Sequence, residues 1–169
     1  ITMKSLFYTR TASTQDVLKI LAFEQENKDW FLNYLPSSYL DKLDQGFIRQ
    51  QIENQRDHKF YLVYSNSGVL IGRFNLYFIE EHRKVVEVVY RMDQAWIGKG
   101  IASYILKRLV AYWASSGIEE IYATTLKSNL ASNKLLLKTG FKVTKRPSKP
   151  ILIGDVNQET SEYVWSIEG

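Results

Sequence analysis

The chain has 169 residues, of which 45% are hydrophobic and 24% charged, with a formal net charge of +4. That composition fits one globular domain over 1–169 with enough apolar mass for a core. Cysteine is absent, which excludes disulfides, thiolate metal sites and cysteine nucleophiles; His58 and His82 alone cannot build a histidine-rich site, so no metal is expected.

No apolar run nears the ~18 residues of a membrane span, and the first residues lack an apolar signal core, so no membrane partner and a cytoplasmic location are expected. The basic residues are scattered rather than massed, which argues against nucleic acid as a partner.

"LFYTRTAS" reads as a first strand. Ser13 or Thr14 offers an N-cap for a helix through about Asn27, with Val17, Ile20, Leu21 and Glu24 at helical spacing. "DWFLNYLPSSYLDKLDQGFIRQQIENQRDH" is a helical region broken at Pro36 and weakened at Gly46. "KFYLVYS" and "VLIGRFNLYFI" flank "NSG", a hairpin signal, and the charged turn "EEHRK" leads into a third strand, "VVEVVYRM". His58, at a helix end, and His82, in that charged turn, are expected on the surface.

From Ile101 to Trp113 a broad apolar helix face follows Gly100, with Gly117 as its C-cap. "IEEIYATT" is a strand, "SNLASNKLLLKT" a helix closed by Gly140, and "FKVTKR" and "SEYVWSIE" two further strands. A strand, helices, an antiparallel meander and a strand-helix-strand crossover predict an α/β fold in which helices cover one mixed sheet.

"IGKGIAS" places two glycines and a lysine at the mouth of a helix. A helix N-terminus offers unpaired N–H groups and the positive end of its dipole, and glycine lets phosphate oxygens approach the backbone. The stretch therefore reads as a phosphate or pyrophosphate seat, or else as a tight turn that needs two glycines. The Gly-Lys-Ser/Thr of a P-loop is missing. A dinucleotide fingerprint would want a third glycine where Ser103 stands and an acid ending the next strand, whereas Glu119 and Glu120 begin it.

Three stretches taken together, "VEVVYRM", "WIGKGIASYIL" and "NLASNKLLLKTGF" with its Asn-x-x-Ser and closing Gly-Phe, resemble the GNAT N-acetyltransferases. The likeness covers nearly the whole chain and leans to the branch that includes ribosomal-protein N-terminal acetyltransferases. It implies a mixed, mainly antiparallel sheet flanked by helices and acetyl-CoA as cofactor. The pyrophosphate would sit on the amides of Ile97, Gly98, Lys99, Gly100, Ile101 and Ala102. The pantetheine arm would pair with the backbone around Tyr90, Arg91 and Met92. Where the family often has Arg or Gln three residues before the first glycine, this chain has Ala95, with Gln94 one step earlier.

Acetylation of an amine needs a neutral nucleophile, yet an α-amine has a pKa of ~8 and lysine ~10.4, so a base must take a proton. Glu87 matches the glutamate that family members often use, and semi-burial there would raise its pKa; the alternative is a solvated or salt-bridged glutamate beside Arg91. The family's frequent acid is a tyrosine at the position of Leu136, which donates nothing. The ribosomal-type branch implies Ser132 in its place, with Asn129 orienting the site or bonding the pantetheine arm; otherwise Asn129 is a helix N-cap and Ser132 a first-turn polar residue.

The resemblance assigns the acceptor wall to Trp30, Phe31, Tyr34, Phe74 and Tyr77, aromatics that could equally be core. The expected activity is direct transfer of acetyl to a primary amine, a protein N-terminal α-amine or a small molecule, by a monomer or homodimer. A non-catalytic CoA-binding sensor or scaffold is the alternative, and nicotinamide-dinucleotide binding a third reading.

Overall fold

The computed structural model describes residues 6–79, 81 and 83–169. The first strand, β1 (Phe7–Thr11), is followed by a short 3-10 turn at Thr14–Asp16 and by α1 (Val17–Glu26). Ser13 precedes that turn, and its backbone N–H donates to the Asp16 carboxylate at 2.8 Å. The long helical region breaks into three pieces, α2 (Lys28–Phe31), α3 (Ser37–Leu40) and α4 (Gln45–Glu53). Pro36 stands immediately before α3, where its fixed φ is tolerated, and Asp44 caps α4 by accepting from the Phe47 N–H at 2.8 Å.

The meander follows as β2 (His58–Ser65), β3 (Leu70–Phe78) and β4 (Val85–Met92). Then come α5 (Ile101–Ser115), β5 (Glu120–Leu126), α6 (Leu130–Lys138), β6 (Lys142–Val143), β7 (Ile151–Ile153), β8 (Val156–Gln158) and β9 (Thr160–Ser166). The main sheet has 7 strands in the order β1-β2-β3-β4-β5-β9-β6. Its pairs are antiparallel except β4 with β5, the two strands that α5 connects. A separate hairpin, β7 with β8, was not anticipated from the sequence.

Alternation along the strands divides the core in two. On one face Val63, Phe74, Val86 and Val88 pack with Ile105, Leu106 and Trp113 of α5 and Leu136 of α6. On the other, Phe60, Leu62 and Tyr64 pack with Ile20 and Phe23 of α1 and Ile48 and Ile52 of α4.

The β4–β5 pairing is short. It runs from Val85↔Glu120 to Glu87↔Tyr122 and ends there, while β4 stays with β3 as far as Met92 and β5 stays with β9 as far as Leu126. Beyond Glu87 the two strands part, and the edge of β4 from Val88 to Met92 has no β5 partner.

His58 departs from the expected surface position. It opens β2 only 8% exposed, with its ring stacked on Phe60 at 4.6 Å between centroids and its Nε2 bonded to the Gln51 carbonyl. The start of a strand shielded by α4 is a core position. His82 lies outside the described residues.

Candidate active site

The glycine loop is pinned before it turns. Asp93 follows β4 and accepts from the Ala95 N–H at 2.8 Å, starting a 3-10 turn over Gln94–Trp96. The buried Asn27, at the C-terminus of α1, donates to Asp93 at 3.1 Å and accepts from the Gln94 N–H at 3.0 Å. Gly98 and Gly100 then adopt φ of +79° and +76°, the left-handed region that only glycine enters cheaply.

No atom lies within 4 Å of where a Cβ on Gly98 would sit, so the backbone there is open. The bond from Tyr104 N–H to Gly100 O starts α5, leaving the N–H groups of Ile101, Ala102 and Ser103 without a helical acceptor. Lys99 is exposed at the rim, its Nζ 5.3 Å from the Trp96 ring centre, and does not line the cleft.

That helix end faces a cleft of about 480 Å³ bounded by the free edge of β4 at Tyr90, Arg91 and Met92, by α6 at Asn129, Ser132 and Leu135, and by the loop at Ile97, Gly98 and Gly100. Gly72 on β3 makes room for one wall, because a Cβ there would collide with the Met92 sulfur. A loop without side chains at its glycines, a helix N-terminus and an unpaired strand edge all opening on one space fit a long ligand with a pyrophosphate. Lys134 and Lys138 also line this space, and their spacing of about one and two helical turns from Ala131, which lines it too, was the available sequence signal.

Asn129 caps α6, its side-chain oxygen accepting the Ser132 N–H at 3.2 Å, and the Ser132 hydroxyl sits 2.6 Å from that of Tyr90. Burial pushes the Tyr90 phenol up to about 12. Tyr90 was expected to contribute backbone only; alternation from Met92 was the signal that its side chain shares the cleft. Leu136 is fully buried in the core, so the position of the family's tyrosine does not open on the cleft here.

Glu87 faces the opposite side of the sheet, with Arg91, at the fork where β4 leaves β5. It does not line the cleft and makes no hydrogen bond or ion pair among the described residues. Burial, and secondarily the charge of Glu162, raise its carboxyl above the ordinary value. Glu162 itself is held by Arg146 and by the Thr144 hydroxyl, each at 2.9 Å.

The pairing of Glu87 with Arg91 does not occur: they stand ~13 Å apart along the strand, and Arg91 turns to Glu24, its Nε and Nη2 donating at 2.8 and 2.6 Å and Nη2 reaching the Tyr39 hydroxyl at 3.2 Å. Arg73 bonds the same carboxylate, and all three side chains are buried.

Of the five aromatics assigned to the acceptor wall, Trp30, Phe31 and Tyr34 line the cleft. Phe74 does not: it is 0% exposed and stacks beneath Tyr90 at 5.4 Å. Tyr77 does not either, being packed against His58 and Phe60 in the second core. The pleat of β3 sends Tyr77 to the other face, whereas Phe74 shares the face of Tyr90 and is covered by it.

Comparison with known proteins gives the same picture. A curated relative, the uncharacterized N-acetyltransferase YoaA of Bacillus subtilis (strain 168), is 33% identical over 73 residues, or 43% of this chain and 41% of the relative, so the matched stretch spans about two fifths of that protein. Among solved structures, the ribosomal L7/L12 alpha-N-protein acetyltransferase RimL in complex with coenzyme A superposes with a TM-score of 0.87 at 21% identity, covering 99% of this chain and 98% of that one. The spermidine N-acetyltransferase of Vibrio cholerae, in complex with CoA and spermine, gives 0.78 at 17% identity over 97% of each chain. The model of the acetyltransferase (GNAT) domain matches residues 8–142, and the chain belongs to that family.

Proposed function

We propose that the protein, as one domain acting in the cytoplasm, transfers the acetyl group of acetyl-CoA directly to a primary amine, either a protein N-terminal α-amine or a small-molecule amine. The observation that carries this reading is the fork: β4 presents a free edge to the α5 N-terminus on one side and Glu87 on the other. In this reading the open amides from Ile97 to Ala102 hold the pyrophosphate, and the β4 edge at Tyr90, Arg91 and Met92 aligns the pantetheine arm. Trp30, Phe31 and Tyr34 flank the acceptor.

Glu87 takes the proton that the amine loses, and Ser132, held by Asn129, donates a hydrogen bond to the departing sulfur. Without any cysteine, no acetyl-cysteine route competes. Glu87 suits a base for amines because a dehydrated carboxylate binds a proton more tightly than a solvated one.

Thermal unfolding tests the cofactor half. Acetyl-CoA at a hundredfold excess over its dissociation constant stabilises the fold by about 2.7 kcal/mol, and NAD does not. Gly100→Val, which puts a Cβ where the ligand approaches, removes most of that shift. Turnover of the thioester with a panel of N-terminal peptides and small amines tests the transfer; cofactor binding without turnover on any amine would make the protein a CoA sensor instead. Ser132→Ala lowers the turnover number more than it raises the Michaelis constant for acetyl-CoA.

A further inference from the structure

A serine hydroxyl has one proton and rotates freely unless a neighbour fixes it. In the reaction proposed above, on which this inference rests, the amine nitrogen forms the C–N bond while the C–S electron pair passes to sulfur. The nitrogen's proton goes to Glu87, and the thiolate leaves with a hydrogen bond and takes its proton from water. A hydroxyl that helps must aim its proton at the sulfur from the start. Electrostatic help of this kind is effective only when it is preorganised.

Tyr90 supplies what Ser132 lacks. Its hydroxyl lies 2.6 Å from Ser132 Oγ, and Phe74, stacked at 5.4 Å and 17° between ring planes, fixes the ring from beneath. Either oxygen could donate on distance alone. The phenol is the stronger acid (pKa ~10 when unperturbed), and its oxygen lone pair is delocalised into the ring, so the phenol donates and the serine accepts. The other nearby phenol, Tyr163, is committed to Asn133 at 3.0 Å, and the α6 position at Leu136 is sealed in the core.

We propose that Tyr90 is a positioning residue, donating to Ser132 Oγ so that the serine's own proton points into the cleft toward the CoA sulfur. Asn129 holds the serine backbone, and the phenol holds the hydroxyl. Because burial pushes the phenol up to about 12, Tyr90 keeps the proton it donates across neutral and mildly alkaline pH.

The thiolate absorbance of bound CoA, titrated against pH, reads this hydrogen bond without any turnover. In the unaltered protein the bound thiol ionises at a lower pH than free CoA. Tyr90→Phe raises that pH by about 0.5–1 unit, a three- to tenfold change in the ionisation equilibrium. It also lowers the turnover number by about the same factor while the Michaelis constant for acetyl-CoA stays within about twofold. In a Ser132→Ala background Tyr90→Phe changes neither quantity, because the effect passes through the serine.

The substitution removes one oxygen and keeps the stacked ring, so the fold is retained. An unmoved titration, or an equal shift in both backgrounds, overturns the positioning role and leaves acetyl transfer standing. Failure of the unaltered protein to acetylate any amine would overturn the transfer reading, and the titration would still decide the role of Tyr90.

Discussion

Glu24 and Glu87 are carboxylates on the same side of the sheet, and their surroundings differ in kind. Glu24 reaches from α1 to Arg73 and Arg91 on neighbouring strands, where two guanidinium groups grip it and Tyr39 completes the shell. Glu87 stands four residues before Arg91 on β4, half-buried and without an ion-pair partner among the described residues, with the charge of Glu162 opposing its own. Removing water from a carboxylate costs free energy unless another charge replaces it. At Glu24 the arginines replace it, so the charge is fixed and holds helix to sheet. At Glu87 nothing does, so the group is ready to accept a proton. The missing partner, more than burial itself, sets Glu87 apart from Glu24.

Three substitutions, one of them read in two ways, can break or sharpen that contrast. Glu87→Gln keeps the shape and removes the proton acceptor, so turnover falls by about 10²–10⁴ while acetyl-CoA affinity barely changes. The loss shrinks at high pH, where the amine is already neutral, and steady-state rates across pH check this. An equal loss at every pH would reduce Glu87 to a positioning role.

Glu24→Gln is the mirror experiment. Two buried guanidinium groups lose their counter-charge, and urea unfolding should show a loss of about 3–5 kcal/mol. Arg91→Lys keeps a positive charge but loses the two-nitrogen grip on Glu24, and the same assay should report about 1.5–3 kcal/mol.

The smallest effect concerns stability at Glu87. Its carboxyl titrates above the ordinary 4.5 in the folded protein, so the folded state holds that proton to a higher pH than the unfolded chain. The stability this contributes is complete below about 4.5 and is lost as pH rises through the folded value. Glu87→Gln therefore leaves acid stability alone and raises the neutral melting temperature by at most about 2–4 °C. No gain at neutral pH would mean that solvent reaches the carboxylate after all.

Much of this arrangement is legible in the sequence where periodicity or glycine carries it. The hairpin around "NSG", the α5 face and the loop at Gly98 and Gly100 follow from local rules, and they match β2–β3, α5 and the positive φ values. The helical region after Asn27 reads as broken at Pro36, which stands just before α3, whereas the other expected weak point, Gly46, lies inside α4 and the break falls at Asp44.

What stayed hidden depends on partners distant in sequence. Phe74 and Tyr77, three residues apart on β3, point to opposite faces, and only the pairing of β3 with β4, which sets Tyr90 over Phe74, keeps both from the cleft. A bridge from Arg91 to Glu87 is the alternative that the strand alone offers, and the 67 residues back to Glu24 carry no pattern that names the actual partner. The β7–β8 hairpin has 3 residues per strand, too few for alternation to register. Tyr90 reads as backbone until the alternation is counted from Met92.

Asn27 joins two parts of the molecule that serve different reactants in the proposed reaction. Its amide ties the end of α1, from which the aromatic wall at Trp30 and Phe31 continues, to Asp93 and Gln94 at the root of the glycine loop. Wall and loop thus hang from one hinge pin, and tilting either pulls on the other. If ligand binding at one site shifts that pin, the occupancy of each site is felt at the other, and thermodynamic reciprocity makes the two effects equal in free energy. The coupling of the two reactants in the proposed reaction would then run through a single side chain that does not itself line the cleft.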